Sequence, residues 1–413
     1  MYKYFLSFIV ILLLFPNSFQ AAEIPNEKAA FTRDGHLFIW VNGEETMITD
    51  DLYVSDPAWS YDGNYLAYKA VPSLDNNGSE IQEVWILHIP TNKQYKLSIQ
   101  GSEYKWSPTK NELAVLSDNS LSIAQLKEDS LPIIHPLANG VWSFVWAIDG
   151  SNILLSKEAV LFPDGWSHPR LYTVSWVEKE VNDWDVSVNS LFTAPSPITV
   201  GDSTIHSISM DHFRWSNDLK WLAMIITPTA SLSEDSNIVG AFAPENKVFI
   251  PLGEMLNKEE WLQWAPSKPL LATIQGSGRL QAGYSNKKLT IQTVLPMKTK
   301  VYTPEKYADI DFTWVDDGNI IVARGKETPE PSTFEPSLYL VDIKNNKSTK
   351  LVNNPKGSSD YRPVILHNYK SLTWIRSDAQ GNKHVFLSEL DGQSEKKIIT
   401  KVDNITWYVG KVE

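Results

Sequence analysis

The stretch Pro57-Ala58-Trp59-Ser60-Tyr61-Asp62-Gly63-Asn64-Tyr65-Leu66-Ala67-Tyr68 decides the fold, because its frame recurs along the chain. In each copy an anchor, usually Trp, is followed seven positions later by an aliphatic residue. The anchors are Trp59, Trp106, Trp146, Trp215, Trp264, Trp314 and Ile365. A gap-free offset that is kept in every copy is hard to obtain by chance, so the chain is an array of repeats.

Each copy has the pattern of a β-hairpin, with a short strand that carries the anchor, a tight turn and a second apolar strand. Asp62-Gly63, Asp149-Gly150 and Asp317-Gly318 are typical turn dipeptides, because Gly tolerates positive φ. A second hairpin with alternating apolar residues follows, as in residues 84–87 and 94–97. Most anchors are roughly 40 to 50 residues apart, which is the spacing of four-stranded propeller blades. Such sheets bury both faces by packing between two neighbours, and large Trp side chains suit the wedge between them.

The two ends of the chain each supply part of a blade. Residues 28–31 have the pattern of a second strand without a first, and residues 37–40 and 46–49 supply the third and fourth. Residues 404–409 have the pattern of a first strand with nothing after it. Paired with each other, these fragments close the ring and remove exposed sheet edges. The sequence therefore predicts an all-β, eight-bladed β-propeller, with a seven-bladed ring as the alternative.

Composition excludes several classes of function. The chain has 413 residues with a net charge of −12 and no marked basic run, which argues against a nucleic-acid partner. It contains no Cys, which excludes disulfides, thiolate zinc sites, a Cys nucleophile and a lipoprotein anchor.

The first 22 residues have the pattern of a secretory signal peptide. Lys3 precedes an apolar run from Phe5 to Phe15, and Ala21-Ala22 supply small residues at the exit. The run is shorter than the roughly 20 apolar residues of a membrane-spanning helix. We expect cleavage near Ala21 or Ala22, with an uncleaved membrane anchor as the alternative. Residues 23–413 would then form a single propeller domain, secreted or in the cell envelope.

The repeat around Trp59 resembles that of TolB-type propellers, which are similar to the WD-repeat group. The resemblance extends, in weakening form, over nearly the whole mature chain, and it implies the fold rather than the function. TolB has six blades and an extra N-terminal α/β domain that this sequence lacks, so its envelope role is not carried over. Other relatives of this repeat style include prolyl-oligopeptidase-type peptidases, whose propeller accompanies an α/β-hydrolase domain, and some secreted sugar lyases.

Catalytic motifs are missing from the sequence. There is no G-x-S-x-G nucleophile elbow, no H-E-x-x-H and no phosphate-binding glycine loop. Gly276-Ser277-Gly278-Arg279 is interpreted as an ordinary loop. Residues 75–80 carry oxygen ligands suited to calcium but lack EF-hand spacing, so a solvated turn is the preferred interpretation. No cofactor is predicted.

Long loops on one side of the ring are the expected binding surface. The connections between second and third strands are long and variable, whereas the hairpin turns on the other side are short. The richest connection contains Asp164, Trp166, His168 and Arg170, which we predict to bind a ligand by stacking and hydrogen bonding. The alternative is that Trp166 folds back and plugs its own loop.

Two further groups of residues are candidates for chemistry. His168 with His206, Asp211 and His212 has the composition of a divalent-metal site, although the spacing does not support one and ordinary loop residues are the alternative. Acidic residues three to five positions before an anchor would surround the mouth of the channel. An acidic ring there would attract cations, whereas the preferred interpretation is local hydrogen bonding. They are Asp56, Glu103, Glu260, Asp311, Asp360 and Asp403.

The favoured hypothesis is an exported, non-catalytic propeller that binds a protein, peptide or cell-wall glycan through its long-loop face. A secreted metal-assisted polysaccharide lyase or hydrolase is the alternative, which leaves enzymatic activity open. A third possibility is a structural partner in an envelope complex, in contact with a membrane only if the signal is uncleaved.

Overall fold

The repeats form eight four-stranded antiparallel sheets arranged as a β-propeller, as the sequence predicted. The computed structural model describes residues 27–50, 53–71, 82–101, 103–127, 130–180, 183–366 and 370–409. The signal segment 1–22 lies outside these residues. In the described part of the chain, no helix is long and apolar enough to cross a bilayer.

The first four blades are built from strands β1–β17 and from the last strand of the chain. Their strands are β1 Lys28–Arg33, β2 His36–Val41, β3 Glu44–Met47, β4 Tyr53–Trp59, β5 Tyr65–Val71, β6 Glu83–His88, β7 Lys93–Gln100, β8 Glu103–Trp106, β9 Glu112–Ser117, β10 Ser120–Gln125, β11 Ile133–Asn139, β12 Ser143–Trp146, β13 Ile153–Lys157, β16 Arg170–Glu180 and β17 Asp183–Thr193. Two small hairpins follow β13 and β17. They are formed by β14 Leu161–Phe162 with β15 Gly165–Trp166, and by β18 Ile198–Val200 with β19 Ser203–Ile205.

The remaining strands form blades 5 to 8 and complete blade 1. They are β20 Ser209–Trp215, β21 Leu222–Thr227, β22 Asn237–Ala243, β23 Val248–Met255, β24 Leu262–Trp264, β25 Leu270–Gln275, β26 Lys288–Thr293, β27 Lys298–Val301, β28 Tyr307–Asp316, β29 Asn319–Lys326, β30 Ser337–Asp342, β31 Lys347–Lys350, β32 Ser359–Leu366, β33 Ser371–Ser377, β34 Lys383–Glu389, β35 Lys396–Ile399 and β36 Asn404–Trp407. In the described residues helix is confined to single turns, which are α1 Ala230–Ser233, Glu259–Trp261, Leu280–Ala282 and Pro331–Thr333.

Pairing of the chain ends closes the ring. Blade 1 has the order β3-β2-β1-β36, so its innermost strand comes from the end of the chain. The antiparallel register pairs Ala29 with Trp407 and Thr32 with Asn404. The expected composite blade is therefore present, and with the seven complete sheets it makes the count eight rather than seven.

The repeated aliphatic positions are the centre of each blade. All seven residues that follow an anchor by seven positions are fully buried: Leu66, Leu113, Ile153, Leu222, Leu271, Ile321 and Leu372. In six blades this residue lies directly opposite its anchor in the ladder. In blade 7 a shorter turn moves the register by one residue, so that Trp314 pairs with Ile320. The offset of seven thus encodes the same hairpin register in six of the seven copies.

The anchors also join neighbouring blades. In blade 1 the anchor position is held by Trp407 of β36. The indole Nε1 of five Trp anchors donates to a backbone carbonyl in the innermost strand of the preceding blade, always to the residue just before the anchor of that blade. The pairs are Trp59 to Thr406, Trp106 to Ala58, Trp146 to Lys105, Trp264 to Arg214 and Trp314 to Gln263. The Trp side chain therefore fills the wedge and fixes the height of one blade against the next.

Candidate functional site

The predicted binding loop of blade 4 folds into a small, supported hairpin. Strands β14 and β15 pair Leu161 with Trp166 across a two-residue turn. The Ser167 side chain accepts a hydrogen bond from Val160 N at 2.8 Å, and Ser167 N donates back to the Val160 carbonyl at 2.9 Å. Below this pair, Ala159 N donates to the Ile208 carbonyl at 2.8 Å, which ties the loop to the connection that leads into blade 5. We call residues 160–167 the blade-4 hairpin.

Apolar side chains of the blade-4 hairpin face solvent. The exposed fractions are 55% for Val160, 61% for Leu161, 52% for Phe162 and 44% for Trp166. Trp166 is therefore not a plug of its own loop. Monomeric proteins seldom cluster large apolar side chains on an exposed tip, and such clusters commonly mark interaction sites.

The four predicted ligand-binding residues are all exposed, two at the tip of the hairpin and two at its base. Asp164 and Trp166 are in the tip of the hairpin, whereas His168 and Arg170 follow at its base and at the start of β16. His168 Nδ1 donates to the Ala194 carbonyl at 2.9 Å, because a carbonyl oxygen only accepts. In the neutral ring this leaves Nε2 as the acceptor. Binding by these residues stays a prediction.

The residues proposed for a metal site do not form one set of ligands. Within the described ranges, no group of three or more His, Asp or Glu side chains is placed to hold a metal ion. His206 is exposed in the connection after β19, whereas Asp211 is buried in β20. His212 Nδ1 lies 3.8 Å from the Glu259 carboxylate. The possible calcium loop at residues 75–80 lies outside the described residues.

Most of the predicted acidic ring is engaged in local contacts. Asp56 pairs with Lys69 at 3.1 Å and Glu103 with Lys105 at 2.7 Å, while Asp360 is buried against Arg376 at 2.6 Å. The remaining contacts use backbone donors: Asp311 accepts from Arg362 N at 3.1 Å and Asp403 from Gly35 N at 3.3 Å. These contacts agree with the local interpretation rather than with a ring of free carboxylates.

Burial raises the pKa of Asp311, one of these carboxyl groups. The pKa of Asp311 is raised to about 7, because burial disfavours the charged form more than the Arg362 backbone donor stabilises it. Glu259 shows the opposite balance. Burial opposes its ionisation, but the nearby cations Arg214, Lys105 and His212 together lower its pKa.

The loop Gly276-Ser277-Gly278-Arg279 contacts the neighbouring loop of blade 5. The Arg279 guanidinium donates to both Asp235 oxygens, at 2.9 and 3.1 Å, and contacts Glu234 at 2.7 Å. Gly278 N donates to the Asp235 carbonyl at 2.8 Å. These contacts join the long loops of blades 5 and 6 on the side that carries the blade-4 hairpin.

Sequence reasoning missed two features of this face. Val160, Leu161 and Phe162 were not predicted as site residues, although an apolar run inside a surface loop is itself a signal. Trp142 and Glu158 were also missed, and both lie beside Asp211. Their proximity depends on how blades 4 and 5 pack, which no local pattern reports.

Comparisons with known proteins agree on the fold alone. No family model and no curated protein sequence matches the chain. Among solved structures, dipeptidyl peptidase 4 of Porphyromonas gingivalis is similar over 92% of this chain and 58% of its own, with 12% identity and a TM-score of 0.56. A puromycin-hydrolyzing peptidase of Mycobacterium tuberculosis is similar over 88% and 55%, with 12% identity and a TM-score of 0.51. The chain thus spans little more than half the length of these peptidases.

Two further structures bear on the resemblance. The dihydro-heme d1 dehydrogenase NirN is similar over 95% of this chain and 77% of its own, with 11% identity and a TM-score of 0.59. TolB of Acinetobacter baumannii is similar over only 68% of this chain and 64% of its own, with 13% identity and a TM-score of 0.38. The β-propeller architecture that the TolB-type resemblance implied is present in the structure itself, and the matched peptidase structures cover 88–92% of the chain.

Proposed function

We propose that this protein is an exported, non-catalytic propeller that binds a protein or peptide through the blade-4 hairpin on its long-loop face. The observation that carries the proposal is the exposed apolar tip formed by Val160, Leu161, Phe162 and Trp166. Export rests on the signal pattern in the sequence, and the lack of catalytic motifs supports a binding role.

The hairpin is suited to recognition because it is held before a partner arrives. Hydrogen bonds at Ala159 and Val160 fix its base, so little conformational entropy is lost when a partner covers the tip. Removing apolar area from water stabilises a complex by roughly 25 cal/mol per Å² before other costs. A rigid tip with an exposed Trp has the properties of an interface anchor.

A polypeptide partner fits this tip better than a glycan. Sugars are commonly held by one aromatic face with polar groups around it, which Trp166 and Asp164 alone would provide. Val160, Leu161 and Phe162 add aliphatic and aromatic area that has no apolar counterpart of similar size in a polysaccharide. Asp164 and Arg170 at the periphery match the polar rim of protein interfaces.

The test is a capture experiment with the full mature chain against secreted and cell-wall fractions. We expect a defined protein to be retained by the wild type and lost from the double variant Phe162→Ala/Trp166→Ala. Leu232→Ala is the matched control, because Leu232 is also an exposed apolar side chain on a long loop of this face. Equal retention by the double variant, or retention of wall polysaccharide alone, would contradict the proposal.

A further inference from the structure

A buried carboxylate with an unused acceptor lies beside the base of the blade-4 hairpin. Asp211 is the third residue of β20, near the long-loop end of the innermost strand of blade 5. Asp211 is 8% exposed, and its Oδ1 atom is buried with no hydrogen-bond partner among the described residues. A buried charged oxygen without a partner is costly, so it calls for an explanation.

A β-bulge follows Asp211 in β20. The pairing of β20 with β21 is regular at Asp211, is interrupted, and resumes at Arg214, while His212 adopts a φ of +51°. Bulges redirect side chains and are frequent next to binding sites.

Three segments meet at the Asp211 carboxyl group. Trp142 N donates to the Ser156 carbonyl at 2.8 Å, and Ser156 Oγ donates to the Met210 carbonyl at 2.6 Å, which places the start of β12 and the end of β13 against β20. Trp142 remains 40% exposed, and its indole faces Asp211 as a donor. Glu158 follows β13 at the same end of blade 4.

The charge around Asp211 is unbalanced. The negative charge of Glu103 raises the pKa of Asp211, and the negative charge of Asp211 raises the pKa of Glu158. Two cations, one in β20 and one in β8, have other partners, because Arg214 is 2.7 Å from Glu259 and Lys105 is 2.7 Å from Glu103. Burial raises the pKa of Asp211, against the opposing effects of His212 and of donors from Trp142 and Asn257. A cation placed at Oδ1 would relieve both the missing contact and the repulsion between carboxylates.

We propose that Asp211, Trp142 and Glu158 form a binding site for an alkylammonium group, with Asp211 Oδ1 accepting its hydrogen bond and the exposed indole contacting its methylene chain. Carboxylates and indole rings both attract ammonium groups, the ring through its electron-rich face. The inference deepens the proposed function, since this site lies at the foot of the hairpin and would receive a Lys side chain or an N-terminal amine of the bound polypeptide.

The test uses small probes with the full mature chain, read by ligand-observed saturation-transfer NMR. Acetyl-lysine-N-methylamide offers a side-chain ammonium without an α-amine, and glycinamide offers an α-amine without a side chain. Acetyl-Nε-acetyl-lysine-N-methylamide is the neutral control. We expect at least one of the charged probes to bind and the neutral one not to bind. Which charged probe binds more tightly identifies the source of the ammonium group.

Substitutions then assign the site. Asp211→Asn keeps the shape of the side chain and should weaken the charged probe by at least about tenfold. Trp142→Ala should weaken it several-fold, whereas Trp142→Phe should retain most of the binding. Lys179→Ala, at an exposed ion pair with no part in the proposed binding, should leave probe binding unchanged. Binding that is equal in wild type and Asp211→Asn, or no binding of either charged probe, would overturn the inference while leaving the capture result intact.

Discussion

The Trp anchors act through both the ring and the Nε1 proton. Their rings pack in the wedges between blades, and five of them donate across the wedge to a carbonyl of the preceding blade. Trp215 occupies the same repeat position, but its Nε1 is buried without a hydrogen-bond partner among the described residues. Comparison of Trp215 with the other Trp anchors therefore separates the contribution of indole volume from that of the hydrogen bond.

A matched pair of substitutions measures the hydrogen bond. Trp264→Phe removes both ring area and the bond from Nε1 to the Arg214 carbonyl, whereas Trp215→Phe removes ring area alone. We expect Trp264→Phe to lower the free energy of unfolding by about 1 kcal/mol more than Trp215→Phe. Urea denaturation followed by circular dichroism measures the difference. Equal losses would show that the donor at position 264 contributes nothing.

At the residue scale, the sequence predicted which positions need a large ring or a positive φ, but not where individual side chains point. Trp as wedge filler and Gly63 at positive φ both follow from local chemistry. The orientation of Asp211 does not, because the bulge that follows it interrupts the regular pairing of β20 with β21. Trp142 and Asp211 are also distant in sequence and meet only when two blades pack.

At the scale of elements, blades 7 and 8 each contain a buried Arg–Asp ion pair at the same position of the repeat. Asp309 and Asp360 each lie five positions before an anchor, and each is held by an Arg of the adjacent second strand. In blade 7, Arg324 and Asp309 have side chains only 1% and 0% exposed, and Arg324 also donates to Ser348 and to the Tyr302 carbonyl. Thr303 donates to Asp309 Oδ2 at 2.6 Å.

Breaking this pair should be far more harmful than its surface counterpart. Arg324→Ala leaves Asp309 buried without its cation, and removal of one partner from a buried pair typically costs about 3–5 kcal/mol. Lys179→Ala removes an exposed ion pair with Asp185 and should leave the unfolding midpoint unchanged. Thermal unfolding of both variants measures the two losses of stability, and we expect a large fall in the midpoint for Arg324→Ala alone. A small effect of Arg324→Ala would mean that water readily reaches Asp309.

Blade 4 shows where reasoning about elements from sequence reached its limit. The repeat predicted its four strands, and the long interval between Trp146 and Trp215 indicated additional structure. It did not predict that β16 and β17 would each have 11 residues, or that the loops would contain the β14–β15 and β18–β19 hairpins. Short hairpins depend on contacts at their base, such as Ala159 with Ile208, which lie far away in sequence.

At the scale of the whole molecule, counting repeats was sufficient. Seven frames and two complementary ends give eight blades, because every strand edge inside the ring needs a partner. The side that carries the long loops followed from topology as well, since antiparallel order brings the connections between second and third strands to one side. The ligand did not follow, because structures with this architecture and 11–12% identity include both peptidases and a heme dehydrogenase.

Closure by the chain ends is the central claim, and the lack of native Cys allows a direct test. Thr32 and Asn404 are opposite each other in the pairing of β1 with β36, within the range of Cα distances that a disulfide spans. Thr32→Cys/Thr406→Cys is the off-register control, because Thr406 pairs with Ala30 instead.

The measurement is thiol titration and non-reducing electrophoresis of the two double-Cys proteins after mild oxidation of the folded chain. We predict that Thr32→Cys/Asn404→Cys loses its free thiols and remains a monomer with an internal crosslink, whereas the off-register pair keeps its thiols. Free thiols or only intermolecular crosslinks in the register pair would contradict a ring closed by its own two ends.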